Sequence, residues 1–133
     1  MDTGHPHVEL VRRLTAAYSA QDRTTIEALI APDCVWRVPG NNVLAGEYVG
    51  REAIFELFRT IRRLFDGPAR FEIDDVAVSD TGAAVCQYGI GTVGGRSVRL
   101  KECLVYTIED GRVVEMDEYQ FSLAAFDEIF AAG

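Results

Sequence analysis

The chain has 133 residues, 48% of them apolar, and a net charge of −8. That length and apolar share are enough for one domain with a real core, while no run approaches the ~20 apolar residues of a membrane span. The acidity argues against a nucleic acid partner, because affinity for a phosphate backbone comes from lysine and arginine.

Three cysteines, an odd number, do not make a disulfide framework, so a reducing cytoplasm is the expected setting. The opening MDTGHPHVEL has neither a basic nor an apolar leader region, so no signal peptide is expected. His5 and His7 flank Pro6 in a terminus expected to fray. From Val8 to Ala20, Val8, Val11, Leu14, Ala17 and Tyr18 recur at helical spacing. Asp22 opens a second short helix through Ile30, with Pro32 as its stop.

Cys34–Val38 reads as a short strand closed by Pro39 and Gly40, and residues 41–50, NNVLAGEYVG, read as a loop carrying Tyr48. Arg51–Phe65 is the clearest helix, with Ile54, Leu57, Phe58, Ile61, Leu64 and Phe65 on one side, ended by Gly67 and Pro68. From Phe71 the period changes to that of strands. Turn signals at Asp80-Thr81-Gly82, Gly94-Gly95 and Glu109-Asp110-Gly111 divide them. Ser122–Phe130 closes the chain as a turn or two of helix. Helices followed by an antiparallel meander define a single α+β domain over residues 1–133.

Two of the turns set a register. Gly94-Gly95 suits a two-residue hairpin loop, in which both residues need φ > 0. Val93 then faces Arg96, Gln87 faces Glu102, Val85 faces Leu104 and Cys86 faces Cys103. In Glu109-Asp110-Gly111 the glycine sits where a three-residue loop needs its left-handed residue, so Ile108 faces Arg112 and Glu102 faces Glu118. Side chains alternate across a sheet. One face therefore carries Val85, Gln87, Leu100, Glu102, Leu104, Val114, Met116, Glu118 and Gln120, apolar apart from a cluster at Gln87, Glu102 and Glu118. The other face carries Cys86, Tyr88, Arg99, Lys101, Cys103 and Tyr119. A single-residue slip would exchange the faces.

Four stretches carry a resemblance: an opening helix ending AAYSAQD, then IEALIAPDCVWRVPG, LAGEYVGREAIFELF and the closing GRVVEMDEYQF. In order and spacing they resemble the SnoaL-like and ketosteroid-isomerase-related branch of the NTF2-like superfamily. The resemblance implies a cone, in which a curved antiparallel sheet wraps around N-terminal helices and encloses an apolar pocket, with homodimers formed through the outer sheet face. The ketosteroid isomerase groups do not carry over. Its oxyanion-hole tyrosine, its base and its protonated aspartate align with Leu14, Val38 and Leu104 here, so steroid isomerisation by that mechanism is not expected. Limonene-epoxide-hydrolase-like and cyclase relatives use an aspartate in the last strand, and the matching position is Glu118. The epoxide hydrolase's Arg-x-Asp pair has no counterpart in CQYGIGT.

Two inward carboxylates in an apolar pocket cannot both ionise cheaply, so one pKa rises. Such a pair supplies an acid and a base together at neutral pH. This suits proton abstraction beside a carbonyl, cyclisation, dehydration or epoxide opening on an apolar, oxygenated small molecule. Glu118 and Glu102 are the candidate catalytic residues. Gln87, Tyr18, Trp36, Tyr48, Leu14, Val38, Leu104 and Met116 are the candidate pocket residues, Tyr48 at the mouth. The alternative is a non-catalytic ligand-binding or association module on the same fold.

No cofactor, metal site or phosphate loop is expected. The glycines Gly89, Gly91, Gly94 and Gly95 lie within a hairpin and remove bulk there. Cys86 and Cys103 read as thiols in a dimer interface, with no base beside them to make a nucleophile.

Overall fold

The computed structural model describes residues 4–131. Helix α1, Pro6–Ala20, begins with proline in its first turn and with His5 as its N-cap, the imidazole accepting from the His7 N–H. His5 and His7, in the segment expected to fray, are docked: His7 Nδ1 lies 2.8 Å from the Ser79 carbonyl and His5 Nε2 3.4 Å from Asp80. Helix α2, Arg23–Leu29, is capped by Asp22, which accepts from the Thr25 N–H and hydroxyl.

The second helix stops before Pro32, and the strand that follows is longer than expected. Strand β1 runs Ile30–Val38, and Pro32 falls within it, where the pairing to its neighbour is interrupted between Ile30 and Val35. A proline has no ladder N–H to lose there. Strand β2, Gly46–Val49, occupies part of the segment read as a loop. It pairs antiparallel with β1, placing Tyr48 opposite Trp36. Helix α3 is Arg51–Leu64. Strands β3, Arg70–Ser79, β4, Gly82–Val93, β5, Arg96–Glu109, and β6, Arg112–Gln120, form the meander, and helix α4, Leu123–Ile129, closes the chain under a Ser122 cap.

The six strands make one open, curved sheet in the order β2-β1-β6-β5-β4-β3, and the architecture is the α+β cone that the resemblance implies. One pairing departs from the expected antiparallel pattern, since β1 runs parallel to β6. α1 packs on β3 and β4, and α3 on β1 and β2. Leu14, Ile54, Leu57, Leu104 and Met116 are buried between the helices and the sheet. No described helix is long and apolar enough to cross a membrane.

The β4–β5 register is the expected one throughout. Gly94 and Gly95 take φ of 56° and 80°, and Gln87 faces Glu102 and Cys86 faces Cys103. The β5–β6 register is not. Asp110 takes the left-handed φ of 52° beside Gly111 at 74°, so the loop has two residues and Glu109 faces Arg112. A bulge between Thr107 and Ile108 adds one further step. Beyond it Leu104 faces Glu118 and Glu102 faces Gln120.

The two single steps add to an even shift, so the strand moves along its neighbour but keeps its faces past the bulge. Before the bulge the face does change: Val113, not Val114, is fully buried.

Candidate functional site

The alternation of β6 sorts its three acids. Glu118 points into the concave face, while Glu115 and Asp117 point outward to Arg37 of β1, which donates to both and to Glu47 of β2. Inside, Glu102 and Glu118 are only 7% and 8% exposed. Gln87, fully buried, donates from Nε2 to Glu102 Oε2 at 2.7 Å. Gln120 donates from its own Nε2 to Glu102 Oε1 at 3.0 Å and to Glu118 Oε2 at 2.8 Å. Three strands thus contribute four side chains to one closed network.

Burial, and then the neighbouring Glu102 carboxylate, push the Glu118 carboxyl up to about 8. Burial also raises the Glu102 carboxyl, against the opposing pull of its two amide donors. Both oxygens of Glu102 accept an amide N–H, whereas Gln120 holds one oxygen of Glu118. The network therefore places the negative charge on Glu102 and the proton on Glu118. A second donor stands near: the Trp36 indole pulls the Glu118 pKa down a little, although its N–H makes no full hydrogen bond. The Gln87 and Gln120 amide oxygens also have no partner among the described residues. With the amide nitrogens fixed on carboxylates, those oxygens are held as free acceptors.

The network borders a cleft of about 620 Å³, counted to its open mouth. Tyr18, Trp36, Val38, Gln87, Leu104 and both acids line it, so seven of the ten expected site residues meet there. The remaining wall is apolar, from Phe58, Phe65, Phe71 and Leu100 and from Phe126 and Phe130 at the chain's end. Gly89 lines it too. A side-chain carbon on Gly89 would stand 3.6 Å from the Phe71 ring and 3.8 Å from Glu102, so its absence widens the cleft beside the acid.

Three expected site residues lie elsewhere. Leu14 and Met116 are fully buried core behind the wall, and the Met116 sulfur accepts the Tyr18 hydroxyl at 3.3 Å. Tyr48 does not reach the cleft. Its hydroxyl donates to the Leu44 carbonyl at 2.8 Å, and it is Leu44 that lines the wall.

Tyr106 went unrecognised in the sequence. It shares the inward face with Glu102 and Leu104, and its hydroxyl donates to the Tyr18 hydroxyl at 3.4 Å. Burial holds both phenols well above their ordinary pKa, so they stay neutral. Strand alternation alone would have found it.

On the outer face Cys86 and Cys103 stand side by side as free thiols. Burial, then the neighbouring Cys86, raises the Cys103 pKa, the opposite of a nucleophile's requirement. Among the described residues no group of three or more His, Cys, Asp or Glu is placed to hold a metal.

Residues 11–116 match the sequence profile of the SnoaL-like domain. The chain belongs to the SnoaL-like family. Among the relatives of this SnoaL-like protein is an uncharacterised protein of Mycobacterium tuberculosis, Rv0034, 25% identical over 130 residues that cover 97% of this chain and 99% of the relative. Among solved structures, Bal32a from a soil-derived mobile gene cassette superimposes with a TM-score of 0.89 at 29% identity, over 94% of this chain and 96% of that one. A putative SnoaL-like polyketide cyclase from Jannaschia sp. CCS1 shares the fold, with a TM-score of 0.77 at 21% identity over 96% and 94% of the two chains.

Proposed function

We propose that this SnoaL-like protein is a cofactor-independent acid–base enzyme acting on a mostly apolar, oxygenated small molecule. The observation that carries the reading is the buried Glu102–Glu118 pair, joined through Gln120 and set in an apolar cleft. With a pKa near neutrality, Glu118 is suited to give a proton to a ligand oxygen and to take one back. Once it has given its proton, two carboxylates face each other in a dry site, which is costly. The proton therefore returns within the same turnover. Reactions with no net proton change satisfy this condition: isomerisation, cyclisation, dehydration, or hydrolytic opening of an epoxide.

The free polar atoms describe the ligand. The Glu118 O–H offers a donor to a ligand oxygen, and the Trp36 N–H and the Gln87 amide oxygen are buried without a partner beside it, a donor and an acceptor that a ligand reaches once the covering side chains shift. A ligand carrying both functions on an apolar frame matches the site; an anion does not, because Glu102 already holds a negative charge. Polyketide cyclase chemistry, which the Jannaschia relative's description carries, falls within this class. The assembly that fits is a homodimer through the outer sheet face.

Native mass spectrometry of the purified protein, followed by assay of the captured compound with wild type and Glu118→Gln, is the direct test. Turnover unchanged in Glu118→Gln would remove that residue from the chemistry. A second reading, a binding module without catalysis, is favoured by how fully the glutamines satisfy Glu102. An ordinary carboxylate pKa at Glu118, with ligand bound and unaltered, would select it.

A further inference from the structure

A second cleft opens on the helical side, between the corner joining α1 to α2, the middle of α3 and the start of β3. Its floor is apolar, built from Tyr18, Ile26, Phe55, Phe58 and Phe71. Its rim carries three guanidinium groups, Arg23, Arg59 and Arg62, and no carboxylate lines it. It encloses about 650 Å³ counted to its open mouth. Three glutamates, Glu27, Glu52 and Glu56, bond to two of these arginines from outside the lining, so the positive charge turned toward the cleft without a carboxylate counterion is that of the third.

The three cations are not equivalent. Arg23 lies over the Phe55 ring at 4.2 Å and is bound to Glu27 and Glu52 on its outer side. Arg59 is paired with Glu56. Arg62 donates to the Gln21 side-chain oxygen at 3.0 Å. Among the described residues it is the one of the three without a carboxylate partner.

We propose that this cleft is a binding site for a small apolar monoanion, an aliphatic or aryl carboxylate. The tail lies on Ile26 and Phe55 and against the Tyr18, Phe58 and Phe71 rings, which the two clefts share as a common wall, and the carboxylate accepts from Arg62. The two clefts divide ligands by charge. Glu102 repels an anion from the first, and the second supplies the missing positive charge beside an equally apolar surface. A neutral amphiphile satisfies only the floor, and an inorganic anion only the rim.

The test uses octanoate, octanol and octylammonium as probes, titrated into the intact protein and followed by NMR. The Ile26 methyl groups report the second cleft, which Ile26 lines and the first cleft does not include. The chain's one tryptophan, Trp36, reports the first cleft through a single indole resonance. Octanoate is expected to shift Ile26 with a Kd about tenfold or more below that of octanol, as a charge-assisted hydrogen bond requires, and to weaken as salt is raised. Octylammonium is expected to bind more weakly than either. Arg62 is exposed, so Arg62→Glu keeps the fold, which an unmoved Trp36 resonance verifies. It is expected to raise the octanoate Kd about tenfold or more while leaving octanol unchanged. Equal affinity for octanol, indifference to Arg62→Glu, shifts at Trp36 in place of Ile26, or no Ile26 shift in the millimolar range would each overturn the proposal.

Discussion

Glu102 and Glu118 stand on neighbouring strands two ladder positions out of step, Glu102 opposite Gln120 and Glu118 opposite Leu104. Direct opposition would set the two carboxyls against each other with no group between them. The offset brings the Gln120 amide within hydrogen-bonding distance of both. A two-residue turn at Asp110-Gly111 and a bulge at Ile108 produce that offset, so turn chemistry seven to nine residues away in the chain sets the geometry of the pair.

The first prediction concerns pH. Glu118 has its pKa raised from an ordinary 4.5 to about 8 on folding. The folded state therefore favours the proton, and that stabilisation is complete below the unfolded value and lost as pH rises through the folded one. Apparent stability should fall between about 4.5 and 8, by a few kcal/mol at most. Glu118→Gln keeps the shape without the titration and should flatten this slope, leaving the variant more stable than wild type at the alkaline end. Urea unfolding across the pH range measures it. Parallel curves for the two proteins would refute the assignment of the proton.

A second prediction separates Gln87 from its neighbour. Its amide nitrogen stabilises the charged form of Glu102, the first of the two interactions that lower that pKa. Gln87→Leu removes the donor and should raise the Glu102 pKa further. The cost should be about 1–3 kcal/mol where Glu102 is ionised, and much smaller at pH values where the pair is fully protonated. The leucine also removes a buried amide oxygen that has no partner. Chemical denaturation on both sides of the titration decides the matter; an equal cost at both would show that packing alone is at stake.

Local chemistry made the hairpins legible, and long-range pairing was not legible in the same way. Two adjacent glycines, Gly94-Gly95, leave one economical turn, and every β4–β5 pair followed from it. At Asp110-Gly111 the sequence permits two loop lengths, because aspartate, with its short polar side chain, can enter the left-handed region that glycine adopts freely. The inward direction of Glu118 survived only because turn and bulge together shift by two.

The parallel β1–β6 pairing left no local signal, since its partners Trp36 and Met116 lie far apart in sequence. Tyr48 was misplaced for the same reason: β2 exists because β1 offers it an edge. The contribution of Phe126 and Phe130 to the cleft depends on where α4 docks, which its own periodicity does not specify.

Two glycines in strand β4 should respond oppositely to alanine. At Gly82 the added carbon would collide with the Tyr106 backbone carbonyl, an atom tied into the β5 ladder that cannot step aside. Gly82→Ala is expected to cost roughly 2–3 kcal/mol. At Gly89 the same carbon meets Phe71 and Glu102 at ordinary contact distances, so Gly89→Ala should fold with a change below about 1 kcal/mol while narrowing the cleft beside the acid. Thermal unfolding of the pair, with ligand binding measured for Gly89→Ala, tests both. A stable Gly82→Ala would mean that the β4–β5 approach there is looser than the structure has it.

The last prediction concerns assembly. The outer face sets Cys86, Cys103 and Tyr119 in one row and Ala84, Val105 and Asp117 in the next. Tyr119 is 59% exposed and Val105 37%, and Arg99 lies 3.6 Å over the Tyr88 ring. Aromatic and arginine side chains are the types enriched at interfaces, so this face is where the proposed homodimer would form. Sedimentation should give double the 14.7 kDa chain mass. Val105→Glu would bury a carboxylate beside Asp117 in that interface, raising the dimer Kd on the order of a hundredfold or more. Because Val105 faces away from the cleft, the Glu118 titration should be unmoved in the dissociated variant. A wild-type chain that sediments as a monomer at micromolar concentration would overturn the dimer, and a Val105→Glu dimer as tight as wild type would place the interface elsewhere.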